Sequence, residues 1–375
     1  MTEPAVGPEN STSQRSNSLS LAARLALLPC ALALIAAPQP ITAQEVDEDP
    51  PDPRQEGLPL APARTISTSF TEGSWMSVDV SPDGQTLVFD FLGDLYTLPI
   101  TGGTAVPLTQ GMAFDGQPRF SPDGTRVVFT SDRGGGEGIH IISLDRTDTV
   151  QVTRGKSSAY QSPEWTPDGD YVIATRQGPG QGKLWMYHVD GGSGIQIIDE
   201  PASRRTTGAA FGADDRYIWY AYRNGGWEYN SGMRQYQLAV YDRETGESTT
   251  RSFRYGGAFR PALSPDGRWL VYGSRHVADT GLRIRDLESG DERWLVFPVQ
   301  RDDQESLATR DAYPGLSFTP DSREVVAFYG GGLWRIPVDG SEPAPIPFRV
   351  DVNLDIGPEV DFDYRIEDTE TFVAK

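Results

Sequence analysis

Ser81-Pro-Asp-Gly84, Ser121-Pro-Asp-Gly124 and Ser264-Pro-Asp-Gly267 are three copies of one tetrapeptide, and Thr166–Gly169, Gly212–Asp215 and Thr319–Ser322 are near copies of it. The chemistry is that of a tight turn. Proline presets φ, the aspartate side chain caps the following backbone, and glycine takes the positive φ. The six copies start 40 to 55 residues apart, the period of a propeller blade built from four strands.

The flanking sequence agrees with that period. A short apolar stretch precedes each turn, as in Trp75–Val80 and Gly315–Phe318. A β-rich run follows each one: Leu87–Phe91, Val127–Thr130, Tyr171–Ala174, Tyr217–Tyr222, Trp269–Tyr272 and Val325–Tyr329. A third strand and a weaker fourth complete the unit, as in Leu95–Ile100 and Ala105–Thr109. One blade cannot bury both of its faces, so the units must stack into a ring. The expected fold is all-β, a six-bladed β-propeller with four-stranded antiparallel blades. The blades fall near 72–114, 115–160, 161–206, 207–258, 259–313 and 314–355, with a closing segment 356–375. Either Arg64–Thr71 or Val360–Val373 is expected to supply a strand that closes the ring.

Residues 1–43 read as a signal peptide. Arg15 and Arg24 precede the uncharged run Leu25–Ala37, and Ile41-Thr-Ala43 offers a cleavage site. That run is shorter than the roughly 20 residues a spanning helix needs, and no later one is long enough. Residues 44–63, rich in Pro, Asp and Glu, read as a disordered spacer. The expected location is therefore outside the cytoplasm, periplasmic or secreted. The one cysteine, Cys30, lies in the segment to be removed, so the mature chain has no thiol nucleophile, disulfide or cysteine-based zinc site. A formal net charge of −20 repels phosphate backbones and makes nucleic acid an unsuitable partner.

Gly73–Gly84, Phe91–Pro99, Phe259-Arg-Pro261, Gly281–Leu287 and Pro298–Glu305 carry longer strings than the bare turn motif. Through them, segments 73–124, 260–320 and 346–366 resemble the N-terminal propeller of large exported bacterial amidohydrolases with TolB-like repeats. The resemblance covers nearly everything from about residue 65 onward. It implies further repeats after Asp363-Tyr-Arg365 and then a hydrolase barrel using a divalent metal, with zinc the first choice. This chain stops at Lys375, and so resembles a truncated or split member of that family.

On the chain itself, hydrolytic chemistry has no sequence support. The histidines His140, His188 and His276 are far apart, whereas amidohydrolase metal sites draw several imidazoles and a carboxylate together. His140 and His188 occupy equivalent places in third strands and read as packing residues. There is no Gly-x-Ser-x-Gly elbow, and Gly134-Gly-Gly136 lacks the Lys-Ser/Thr of a phosphate loop. The turn carboxylates Asp83, Asp123, Asp168, Asp266 and Asp321 read as caps rather than calcium ligands. The expectation is no catalytic residue, no metal and no cofactor on this chain.

Loop length marks a candidate binding face. The repeated turns form one short, uniform face, while long insertions fall on the other, at Arg223–Gln237 and Val299–Pro314. The first insertion carries Trp227, Tyr229, Asn230 and Arg234; the second carries Arg301, Asp302, Asp303, Glu305, Arg310 and Asp311. Arg275 and His276 belong to a third loop on that face. Aromatic residues with arginine on loops of a rigid scaffold suit a contact surface, but the same loops would serve merely to cover blade edges. The expected function is a non-catalytic propeller module that binds or gates for a hydrolase domain or another exported protein. Two alternatives stand beside it: the metal-dependent amidohydrolase of the whole gene product, and a TolB-like periplasmic scaffold.

Overall fold

In a computed structural model, the described residues are 62–154, 158–178, 182–199, 201–225, 235–304 and 311–357. The expected signal peptide, residues 1–43, and all but the last two residues of the expected spacer lie outside them. All regular structure within them is β, and no helix among them is long and apolar enough to cross a membrane.

Six four-stranded antiparallel sheets follow one another in chain order, each made from contiguous sequence. Their second strands are Thr86–Phe91, Arg126–Ser131, Tyr171–Gln177, Tyr217–Asn224, Trp269–His276 and Glu324–Tyr329. The repeated turn joins each to an innermost strand such as Val78–Val80 or Asp115–Phe120. Gly84 and Gly124 take φ of 72° and 70°, and Ser322 takes 61° at the position where the sixth copy has no glycine. In each of the regular copies the hydroxyl two residues before the aspartate donates to it, as from Ser121 Oγ to Asp123 at 2.5 Å. The Thr125 amide donates to the same carboxylate at 3.0 Å.

Neighbouring blades share apolar clusters, which is why the units cannot stand alone. Val88 and Leu95 of the first blade pack with Phe120, Val127 and Phe129 of the second. The second and third, third and fourth, and fourth to sixth blades are joined in the same way. Each such buried Val, Leu or Phe contributes roughly 1.5–3 kcal/mol.

The ring closes without a shared blade. Val326, Phe328, Leu333 and Ile346 of the sixth blade join Val78, Phe89, Phe91 and Tyr96 of the first in one cluster. The backbones also meet, with the Val78 amide donating to the Gly315 carbonyl at 3.0 Å. On the turn face, Pro320 packs against Gly84 as Pro82 packs against Gly124.

A seventh, three-stranded sheet occupies this junction. Arg64–Phe70, within one of the two segments expected to supply a ring-closing strand, pairs with Phe348–Ile356, from Arg64 opposite Ile356 to Phe70 opposite Val350. Phe348–Ile356, counted above within the sixth blade and the start of the closing segment, lies outside the blade sheets and runs parallel to Gly103–Thr104. Its alternate residues Phe348, Val350 and Val352 are buried in the cluster between blades six and one. The ribbon thus fills the wedge where the two blades diverge. Val360–Val373 lies outside the described residues.

Candidate functional site

The innermost strands surround the axis, and four of them are broken by a bulge. The ladder shifts between Gly116 and Arg119, Gln161 and Glu164, Thr207 and Ala210, and Phe259 and Ala262. At each bulge one residue takes positive φ: Gln117 (54°), Ser162 (51°), Gly208 (63°) and Arg260 (51°). A bulge re-aims the side chain at its apex, and here it builds a relay of polar contacts between blades.

The relay begins at Asp90 of the first blade, which accepts from the Ser77 amide and the Gln117 amide, both at 2.7 Å. Gln117 Oε1 accepts from the Ser162 amide at 2.8 Å. Ser162 Oγ donates to Asp311 Oδ2 at 2.7 Å, and Thr207 Oγ1 donates to the same oxygen at 3.3 Å. Arg260 Nη1 lies 3.4 Å from that oxygen, with both side chains almost wholly buried. Asp311 therefore reaches from the connection between blades five and six into the axis and is held by blades three, four and five. Burial and the nearby Arg119 both depress the Arg260 guanidinium's proton affinity, and Asp311 opposes them.

A second layer lies nearer the turns. The residue two before each turn is Asp79, Arg119, Glu164, Ala210, Ala262 or Ser317, and these six line one cavity of about 110 Å³. Its charged half comes from blades one to three and its small half from blades four to six. Arg119 lies 3.1 Å from Asp79 Oδ1 and 3.2 Å from Glu164 Oε2, and donates to the Leu316 carbonyl at 2.9 Å. Burial works against the Arg119 charge, but Glu164 and Asp79 hold its pKa above the ordinary value. Burial pushes Glu164 up to about 7 against the pull of Arg119.

On the loop face, the structure brings some of the expected residues together and separates others. Arg275 Nη1 is 3.2 Å from Asp302 Oδ2, whose other oxygen accepts from Gln304 at 2.9 Å. Gln304 is itself buried and donates to the Gly256 carbonyl at 3.0 Å. Arg301, with its side chain 86% exposed, lies 3.4 Å from Asp303. His276 packs edge-on against Phe297, with ring centroids 5.7 Å apart. Asp311 stands apart from all of these, in the axis. Trp227, Tyr229, Asn230, Arg234, Glu305 and Arg310 lie outside the described residues.

The other two histidines are not equivalent. His140 is buried in mid-strand opposite Phe129, and burial lowers it to about 4. His188 ends its strand, exposed, opposite Tyr171. Among the described residues, no three His, Cys, Asp or Glu side chains are grouped so as to hold a metal ion.

Sequence reading missed the axis. The usable signal was a charged residue at one fixed offset, two before the turn, as at Asp79, Arg119 and Glu164. Alternation along a strand puts that position on the opposite side from the interblade residues Val78 and Val80.

Residues 60–231 match the TolB beta propeller domain. Tricorn protease homolog 1 of Streptomyces coelicolor is 27% identical over 280 residues, which are 72% of this chain and 24% of that protein. YuxL, an uncharacterized peptidase of Bacillus subtilis, is 28% identical over 181 residues, 48% of this chain and 24% of that one. The chain thus spans about a quarter of the length of these curated relatives. Among solved structures, TolB from Acinetobacter baumannii aligns with a TM-score of 0.55 and 16% identity over 74% of this chain and 65% of its own. The tricorn protease aligns at 0.54 with 16% identity over 79% of this chain and 27% of its own. At these identities the structures establish the fold.

Proposed function

We propose that this TolB-like propeller, related to tricorn protease and peptidase homologues, is a non-catalytic module that recognises a partner on its loop face and gates the axis for an exported hydrolase. The observation that carries the reading is Asp311. The connection that presents Arg301, Asp302 and Asp303 on the loop face also sends Asp311 into the axis, where three blades hold it. Whatever grips that connection acts on the same segment that enters the axis, so binding and gating would share one element. The curated relatives support service to a hydrolase, because each extends well beyond the part that this chain matches. The finer reading is an amidohydrolase, whose barrel would carry the zinc and the catalytic residues, with the mature protein in the periplasm or outside the cell.

Two experiments test this. Translation of the DNA downstream of Lys375 should give continued repeats and then a His-x-His segment if the amidohydrolase reading holds; a serine-hydrolase domain there moves the parent to the peptidases. Alanine at Trp227 and Arg301 should weaken capture of that hydrolase part by the propeller. Capture at full strength would remove the loop face from the proposal.

A further inference from the structure

We infer that the wedge between blades four and five is a docking groove for an extended, acidic peptide segment of a partner protein. This surface is distinct from the loop face and from the axis. It is a cavity of about 320 Å³ whose floor includes Leu238 of blade four and Leu270 and Tyr272 of blade five. Arg251, Arg254, Arg285 and the carboxylate of Glu292 line its sides, three cations to one anion.

The arginines differ in what they already hold. Arg254 is committed to the Glu292 carboxylate and to the Tyr272 hydroxyl, and Arg283 adds a contact with Glu292 at 3.3 Å. Arg251 and Arg285 make no ion pair or side-chain hydrogen bond among the described residues. Two guanidiniums on one groove, without carboxylates of their own, form a local cationic strip on a chain of net charge −20. An anionic segment is repelled by most of this molecule and attracted here. Beside the strip, Phe253 is 87% exposed and Tyr255 80% exposed on the same connection, two aromatic rings left in water.

The shape of the occupant follows from the equivalent place elsewhere in the ring. Between blades six and one, the wedge is filled by an extended strand whose Phe348, Val350 and Val352 face inward while Arg349, Asp351 and Asn353 alternate outward. The wedge between blades four and five likewise has buried apolar residues, Leu238, Leu270 and Tyr272, at its floor, and it adds arginines along its sides. A strand with apolar residues at every second position and Glu or Asp between them meets both requirements.

The test is fluorescence anisotropy with a fluorescein-labelled Glu-Val-Glu-Val-Glu-Val-Glu peptide, its Lys-for-Glu counterpart, and the full chain. The acidic peptide should bind, the lysine peptide should not, and added salt should weaken binding. The double variant Arg251→Ala/Arg285→Ala should lose about tenfold or more in affinity while keeping its circular dichroism, since neither side chain is engaged in the fold. Phe253→Ala should weaken binding less. Equal binding of both peptides, or acidic-peptide binding that the double variant leaves intact, overturns the proposal. So does sedimentation velocity showing a dimer that the double variant dissolves, which would assign the wedge to a second copy of the chain. Because Arg301 does not line this cavity, failure of the loop-face pull-down and failure of this test are separate results.

Discussion

On the turn face, Asp83, Asp123, Asp168 and Asp321 stand largely in solvent, and each binds mainly its own turn. In the axis, Asp311 is buried and three blades share it. Hydrogen bonds from the local hydroxyl and amide hold the turn carboxylates below their ordinary pKa. Asp94, buried near Asp115 and Asp355, goes the other way, raised to about 7 first by burial and then by those neighbouring charges. One residue type therefore serves two ends. Repeated along the turns in water, it shapes a local bend; placed in the interior, as at Asp90 and Asp311, it ties separate units together.

That contrast predicts very unequal costs. Asp311→Ala leaves Arg260 buried without its partner and should lower stability by about 3–5 kcal/mol in urea unfolding. A loss close to that of a turn variant would mean that the axis is not a shared anchor. Gly208→Ala should cost about 1–3 kcal/mol, because φ there is +63° and the new Cβ would sit 3.2 Å from Asp311 Oδ2. If Asp311→Ala largely removes that penalty, the close contact is its source; if not, the backbone angle is.

The pH dependence sharpens the comparison by sign. Folded Asp94 keeps its proton up to about 7, whereas the unfolded chain releases it near the ordinary value of 3.8. Its contribution is thus lost as pH rises between those limits. Asp94→Asn should raise the melting temperature at pH 8 by about 2–4 °C and leave it nearly unchanged at pH 4. The turn aspartates contribute in the opposite sense, with stability present above their unfolded pKa and lost as pH falls below it. Asp123→Ala should have the smallest effect, about 1 kcal/mol or less at neutral pH and vanishing in acid. A turn variant that unfolds the protein would erase the distinction between the turn face and the axis.

The blades were legible because turn chemistry is local: Pro, Asp and Gly act within four residues, and the period follows by counting. The ribbon was not. Arg64–Phe70 is exposed along its whole length and binds its partner through Thr65, Ser67 and Ser69 to Asp355, Asn353 and Asp351, residues nearly 300 positions away. No local pattern announces that pairing. The axis lay between these cases. Asp79, Arg119 and Glu164 stood in plain view at a fixed offset from the turn, but their meeting depends on ring closure, which sequence spacing does not encode. From sequence alone Asp311 reads as a surface binding residue, because it belongs to a long insertion. Its left-handed backbone (φ 74°) and its insertion between blades are products of tertiary packing.

The ribbon has a mechanical consequence. Arg64 and Ile356 sit on one rung, and the Ala63 amide donates to the Ile356 carbonyl at 2.9 Å. Tension applied across these two points would load the rungs one after another, as a zipper opens, instead of shearing them all at once. The strap should peel toward Phe70 at low force while the six blades beneath stay unstrained, sparing the disc until its fastening has been undone.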